Sequence, residues 1–138
     1  MLVAFLGHTV YAAEQKESLK VQESNALKGQ SHLDNVVKIY VPSTYDIVQP
    51  IDNTPYVNKS LETFSNMFGG ATAIEGTGAW VGDNDQLIKE KVTIVYSFAE
   101  KLNKKKINEV VAYAKSLKKE MKQSSISLEV NGKMYFIE

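Results

Sequence analysis

Tryptophan occurs once in the chain, at Trp80, placed between Gly78 and a Gly82-Asp83 turn signal. A flat ring at the tip of an extended segment can stack a flat ligand, or it can simply close the end of a core. Glu90, between Lys89 and Lys91, offers a general base or a ligand contact on a strand, set against the plain role of a solvated charge beside two cations. Lys38 and Tyr40 lie in a β-branched run, and Ser43-Thr44 follow it directly. With Asn53-Thr54 further on, these residues supply hydroxyl, amide and ammonium donors near a sheet edge, where a small ligand can be held. Turn chemistry accounts for Ser43, Thr44, Asn53 and Thr54 equally well.

Several chemistries have no residues to use. The chain has no cysteine, which removes disulfides, thiolate nucleophiles and Cys-based zinc sites. Its two histidines, His8 and His32, lie ahead of the patterned part of the chain, so no Ser-His-Asp set and no histidine-based metal site can be assembled there. Asp83-Asn84-Asp85 opens like a calcium loop but lacks the spaced carboxylates and distal glutamate that complete one, and it reads as a turn. Gly69-Gly70 follow a helix pattern, where a phosphate cradle would precede one. No cofactor is implied, and an enzyme would need bare carboxylate or tyrosine chemistry. Sixteen basic residues balance sixteen acidic ones, so no global field draws the protein to nucleic acid or to an anionic membrane. The lysines around Lys104–Lys106 and along the following helix read as solvated, partly neutralised by Glu109 and Glu120.

The elements that must position these side chains begin near Val36. Val36 to Val41 (VVKIYV) reads as a first, central strand stopped by Pro42. Pro42 to Pro55 reads as a loop of unusual length, the kind that often carries function. From Tyr56, Val57, Leu61, Phe64, Met67 and Phe68 form one helical stripe that Gly69-Gly70 ends. Ala71 to Trp80 is extended, with Gly76 and Gly78 signalling a bulge, a bend or a close backbone approach. Leu87 to Phe98 alternates and completes a hairpin. Ile107, Val110, Val111, Ala114, Leu117 and Met121 mark a second helix. Ser125 to Val130, an Asn131-Gly132 turn and Lys133 to Ile137 form a closing hairpin.

The order predicts an α+β fold, a ferredoxin-like β-α-β-β-α-β sandwich with an antiparallel sheet and two helices on one face, occupying 36–138. The other sheet face stays open, and the alternation assigns to it Lys38, Tyr40, Thr93, Val95, Ser127 and Glu129. A half-apolar open face calls for a cover, a second copy or a ligand.

Ahead of this body, Met1 to Ala13 (MLVAFLGHTVYAA) is an apolar run whose Val10-Tyr11-Ala12 end suits a signal peptidase, with a cut expected after Ala12 and the protein exported. If that segment is no signal, the protein stays in the cytoplasm. The run is too short for a transmembrane helix, so no stable membrane insertion is expected. Residues 14–35 are polar with scattered leucines and read as a tether.

With these residues in place, Lys38-Ile39-Tyr40-Val41, Phe68-Gly69-Gly70-Ala71-Thr72, Gly78-Ala79-Trp80, Leu87-Ile88-Lys89-Glu90 and Met121-Lys122-Gln123-Ser124-Ser125-Ile126 resemble an uncharacterised domain of small exported bacterial proteins. In that family an aromatic ends the second strand and a glutamate opens the third, the places of Trp80 and Glu90 here. The same core also resembles phage-encoded Thoeris anti-defence sponges. That resemblance implies a dimer that sequesters a cyclic ADP-ribose-type signal without cleaving it. Together the readings favour a non-catalytic small-ligand module, homo-oligomeric, taking a small anionic or nucleotide ligand at Lys38, Tyr40, Ser43, Thr44, Trp80 and Glu90. The alternative is an exported interaction protein with no small-molecule ligand, and the second alternative an enzyme using carboxylate or tyrosine chemistry.

Overall fold

The computed structural model describes residues 25–138. The expected signal segment, and the tether up to residue 24, lie outside the described residues. Residues 25–32 hold a turn in which the Gln30 N–H reaches the Leu27 carbonyl at 3.0 Å. The fold belongs to the unit Leu33–Glu138.

β1 (Asn35–Pro42) is the centre of a five-stranded sheet because its alternation leaves one strongly apolar face. Val37, Ile39 and Val41 are fully buried on that face, and Pro42, with no N–H to give, ends the ladder. The sheet also contains β4 (Thr72–Val81), β5 (Leu87–Ala99), β6 (Ile126–Val130) and β7 (Lys133–Ile137). Its order is β4-β5-β1-β6-β7, with every neighbouring pair antiparallel. Helices α1 (Thr54–Phe68) and α2 (Lys104–Met121) bury Phe64, Val110, Ala114, Leu117 and Met121 in one cluster with Val37, Ile39, Val41, Val95, Ile126 and Leu128. This is the expected ferredoxin-like sandwich, with β7 added at the β6 edge. Among the described residues no helix is long and apolar enough to cross a membrane.

Helix boundaries follow local chemistry. The Asn103 side chain accepts the Lys106 N–H at 2.9 Å and caps α2, and Gly69, at φ 91°, closes α1 with its N–H on the Ser65 carbonyl. Asn53 precedes α1 but turns its amide away, donating to the Val41 and Pro42 carbonyls and to Thr93 Oγ1. It thereby ties the end of β1 to β5 and to the start of the helix. The long loop expected from Pro42 to Pro55 is partly ordered as a ribbon of β2 (Thr44–Tyr45) and β3 (Gln49–Pro50), and α1 starts at Thr54 with a proline in its first turn.

Two expectations are corrected. Thr93 and Val95 face the helices, not the open side. The register sets Tyr40 opposite Ile94 and Lys38 opposite Tyr96, so Val92, Ile94, Tyr96 and Phe98 lie on the open face. Pattern alone puts the bulkier set inside, but the register with β1 turns the smaller one, Thr93, Val95, Ser97 and Ala99, toward the helices. The hydroxyls this buries are satisfied, Ser97 by donating to the Gly70 carbonyl and Thr93 by accepting from Asn53. Gly76 and Gly78 make neither bulge nor bend, since β4 pairs with β5 without a break from Thr72↔Tyr96 to Val81↔Leu87.

Tyr113 brings a polar group into the core, its hydroxyl 2.7 Å from the hydroxyl of the fully buried Ser60. Burial is the main reason its pKa is raised above the ordinary 10.0. The folded chain therefore holds this proton more tightly than the unfolded chain does. The corresponding stability is complete below 10.0 and drains as pH rises beyond it. Thermal melts should show Tm falling more steeply above that pH in the wild type than in Tyr113→Phe, and parallel slopes would remove Tyr113 as the cause.

Candidate functional site

β1 stops pairing with β5 at Pro42↔Val92, while β5 continues outward to Leu87 alongside β4. The extra length leaves a two-stranded arm beyond the helices, and two adjoining hollows form where the arm leaves the body. The first, about 350 Å³, includes Tyr40, Gly76, Gly78, Glu90, Ser125 and Ser127 in its lining. The second, about 540 Å³, includes Ser43, Thr44, Ile47, Trp80, Ile88 and Glu90. Both are in the range that small-molecule sites occupy, and Glu90 and Lys91 line both.

The floor of the first hollow exists because of two absent side chains. Gly76 and Gly78 sit on the open face by their pairing with Val92 and Glu90. A Cβ at Gly78 would meet only the Glu90 carbonyl, at 3.7 Å, and one at Gly76 would touch Val92 Cγ1 at 3.6 Å. These are ordinary contacts, and neither residue has a positive φ. Neither the backbone nor the packing demands glycine, so what glycine provides here is space over the strand.

On the wall, the Tyr40 hydroxyl donates to Glu129 Oε1 at 3.0 Å, and Lys38 Nζ stands 3.4 Å from Glu129 Oε2. Burial, then the hydrogen bond and the charge of Glu129, push the Tyr40 pKa up from 10.0. Tyr40 is therefore a protonated phenol near neutral pH, with its lone pairs still able to accept. Glu90 differs: among the described residues no hydrogen bond or ion pair engages its side chain. It is a half-buried carboxylate at the junction of both hollows, open to a cation or to hydroxyl donors.

Of the residues singled out from sequence, Tyr40 and Glu90 meet in the first hollow, and Ser43, Thr44, Trp80 and Glu90 in the second. Lys38 lines neither and serves Glu129 instead. Thr44 is nearly buried, with its carbonyl taken by Gln123 Nε2 at 2.9 Å. Asp83-Asn84-Asp85 forms a turn closed by the Asp85 N–H on the Gly82 carbonyl, and no group of three or more metal-ligating side chains occurs among the described residues.

Sequence reasoning missed Ile47, Ile88 and Ser125. Ile47 carried no signal, because its place depends on a three-residue turn in which Asp46 and Ile47 are both left-handed. Ser125 follows the left-handed exit of α2 at Lys122, a cue visible only once the helix end is known.

No protein-family model matches this chain, and no curated protein does. Among solved structures, the fold is similar to a phage SAM lyase in complex with S-methyl-5′-thioadenosine, with a TM-score of 0.58, 18% identity, and coverage of 78% of this chain and 94% of that one. It is also similar to a phage SAM lyase in its apo state, with a TM-score of 0.56, 20% identity, and coverage of 80% and 93%. At that identity the likeness is one of fold. The resemblance to exported bacterial proteins finds no counterpart in these comparisons, whose structural neighbours are phage proteins.

Proposed function

We propose that this protein binds a small adenosine-type ligand, of the class of S-methyl-5′-thioadenosine or SAM, across the two hollows. The observation that carries the reading is Glu90, an unpaired half-buried carboxylate shared by both hollows, next to a strand kept bare by Gly76 and Gly78. A carboxylate there suits ribose hydroxyls or a sulfonium charge. Trp80, with Ile47 and Ile88, suits a base. The fold shared with a SAM lyase, described in one structure with S-methyl-5′-thioadenosine, supports the same class.

The reading includes a second copy of the chain. The open face leaves Ile74, Trp80, Phe98 and Phe136 about half exposed or more, at 49%, 51%, 51% and 68%. These side chains are spread from β4 to β7 across the open face, which nothing else in the described chain covers, and a second copy would take them out of water. Native mass spectrometry with added S-methyl-5′-thioadenosine, SAM or cyclic ADP-ribose tests both parts. A homo-oligomer retaining the thioadenosine is expected. Retention of cyclic ADP-ribose alone would favour sequestration of a nucleotide signal, and a bare monomer in every mixture would end the proposal.

Turnover is a second reading, favoured by the Tyr40–Glu129 hydrogen bond at the wall of the first hollow. Loss of SAM over time that Tyr40→Phe slows would establish it, and unchanged SAM would leave binding alone.

A further inference from the structure

β5 has a short free edge. From Leu87 to Lys91 it pairs with β4 on one side, while β1 has already ended on the other. In a strand the N–H and C=O of one residue point to the same side, and successive residues alternate sides. The Lys91 carbonyl accepts the Ser43 hydroxyl at 2.7 Å on the side where β1 would have continued. Lys89, two residues earlier, therefore directs its own N–H and C=O to that side. Among the described residues no backbone hydrogen bond is made there by Lys89 or by the Lys91 N–H. The Lys89 carbonyl and the Lys91 amide stand side by side as an acceptor and a donor.

This pair opens into the larger hollow, whose other walls combine apolar Ile47, Pro50, Ile51, Trp80 and Ile88 with polar Ser43, Thr44 and Glu90. The β2–β3 ribbon borders the same hollow. Its base is closed by the Ile51 N–H on the Ser43 carbonyl at 2.9 Å, and the Asp46 N–H on the Met121 carbonyl at 3.0 Å ties its tip to the end of α2. Ile47 at its tip holds φ 70°, a conformation β-branched residues rarely adopt. The hollow between this ribbon and the free edge, about 540 Å³, is in the range that small-molecule sites occupy.

We propose that the Leu87–Lys91 edge reads the Watson–Crick edge of adenine, with the Lys89 carbonyl accepting from the exocyclic amine and the Lys91 N–H donating to N1. The inference rests on the adenosine-type reading above and deepens it, because it says which base is accepted and how. Hypoxanthine presents the reverse pattern, a donor at N1 and an acceptor at position 6. It would set carbonyl against carbonyl and N–H against N–H.

The test is calorimetric titration of the full chain with S-methyl-5′-thioadenosine, its inosine counterpart and its N6,N6-dimethyl derivative, alongside ¹⁵N spectra. Loss of a matched donor–acceptor pair in a desolvated site predicts binding weaker by about 100-fold for both analogues. The Lys91 amide should shift and exchange more slowly only with the adenine ligand. Equal binding of adenine and hypoxanthine forms, or an unmoved Lys91 amide when the thioadenosine binds, overturns the edge reading and leaves the adenosine site standing. No binding by any of the three overturns both.

Discussion

Phe64→Ala should lower stability by about 3–5 kcal/mol, the range for deleting a fully buried phenylalanine and leaving a cavity behind. Phe64 has no exposed surface, and its ring meets Phe68 and Tyr113 edge-on with centroids at 5.6 and 6.4 Å. It lies where α1 presses on α2, so the cavity would be lined from both helices and from β1, and rigid strands cannot collapse into it. Domains of this size are stable by about 5–15 kcal/mol, so the loss takes a large share of the total. A drop in Tm on the order of 20 °C follows from the usual size scaling. Urea unfolding should show the midpoint moving with its slope unchanged. A loss under about 1 kcal/mol would mean that the helix layer is not packed as described.

The same packing explains what could be read in advance. The helices were legible because Phe64, Val110, Ala114, Leu117 and Met121 recur at helical spacing and each stripe has one place to go. The sheet order followed from connection rules. The face of β5 was not legible, because both of its alternating sets carry apolar residues and only the register with β1 decides between them. At the site, Trp80, Glu90 and Tyr40 stood out by residue type. Their grouping did not, since it depends on where β1 stops and on how far the arm of β4 and β5 runs past it. The free Lys89–Lys91 edge is a property of the backbone and leaves no trace in side-chain pattern. Gly76 and Gly78 signalled a bulge, a bend or a close backbone approach, and the unbroken pairing and ordinary contacts there leave open space over the strand instead.

That reading of the glycines gives the second large effect. Gly78→Val should raise stability and remove ligand binding. A β-branched residue at an unstrained strand position gains roughly 0.5–1 kcal/mol over glycine, a few degrees in Tm. Its Cβ has only the Glu90 carbonyl at 3.7 Å to meet, so nothing in the fold resists it. Its methyl groups would stand in the hollow beside Tyr40 and Glu90, the part of the proposed site that adjoins the base-binding edge. Overfilling a site of this kind costs about 1–3 kcal/mol, which is roughly 5- to 150-fold in affinity.

The most direct measurement is a paired calorimetric titration of wild type and Gly78→Val with S-methyl-5′-thioadenosine, with both proteins melted in the same buffer. Saturable binding by the wild type is predicted, with little or no heat from a variant that melts at the same temperature or higher. Equal binding by the two proteins would contradict a site over Gly78, and no binding by a folded wild type would contradict the adenosine-type ligand itself.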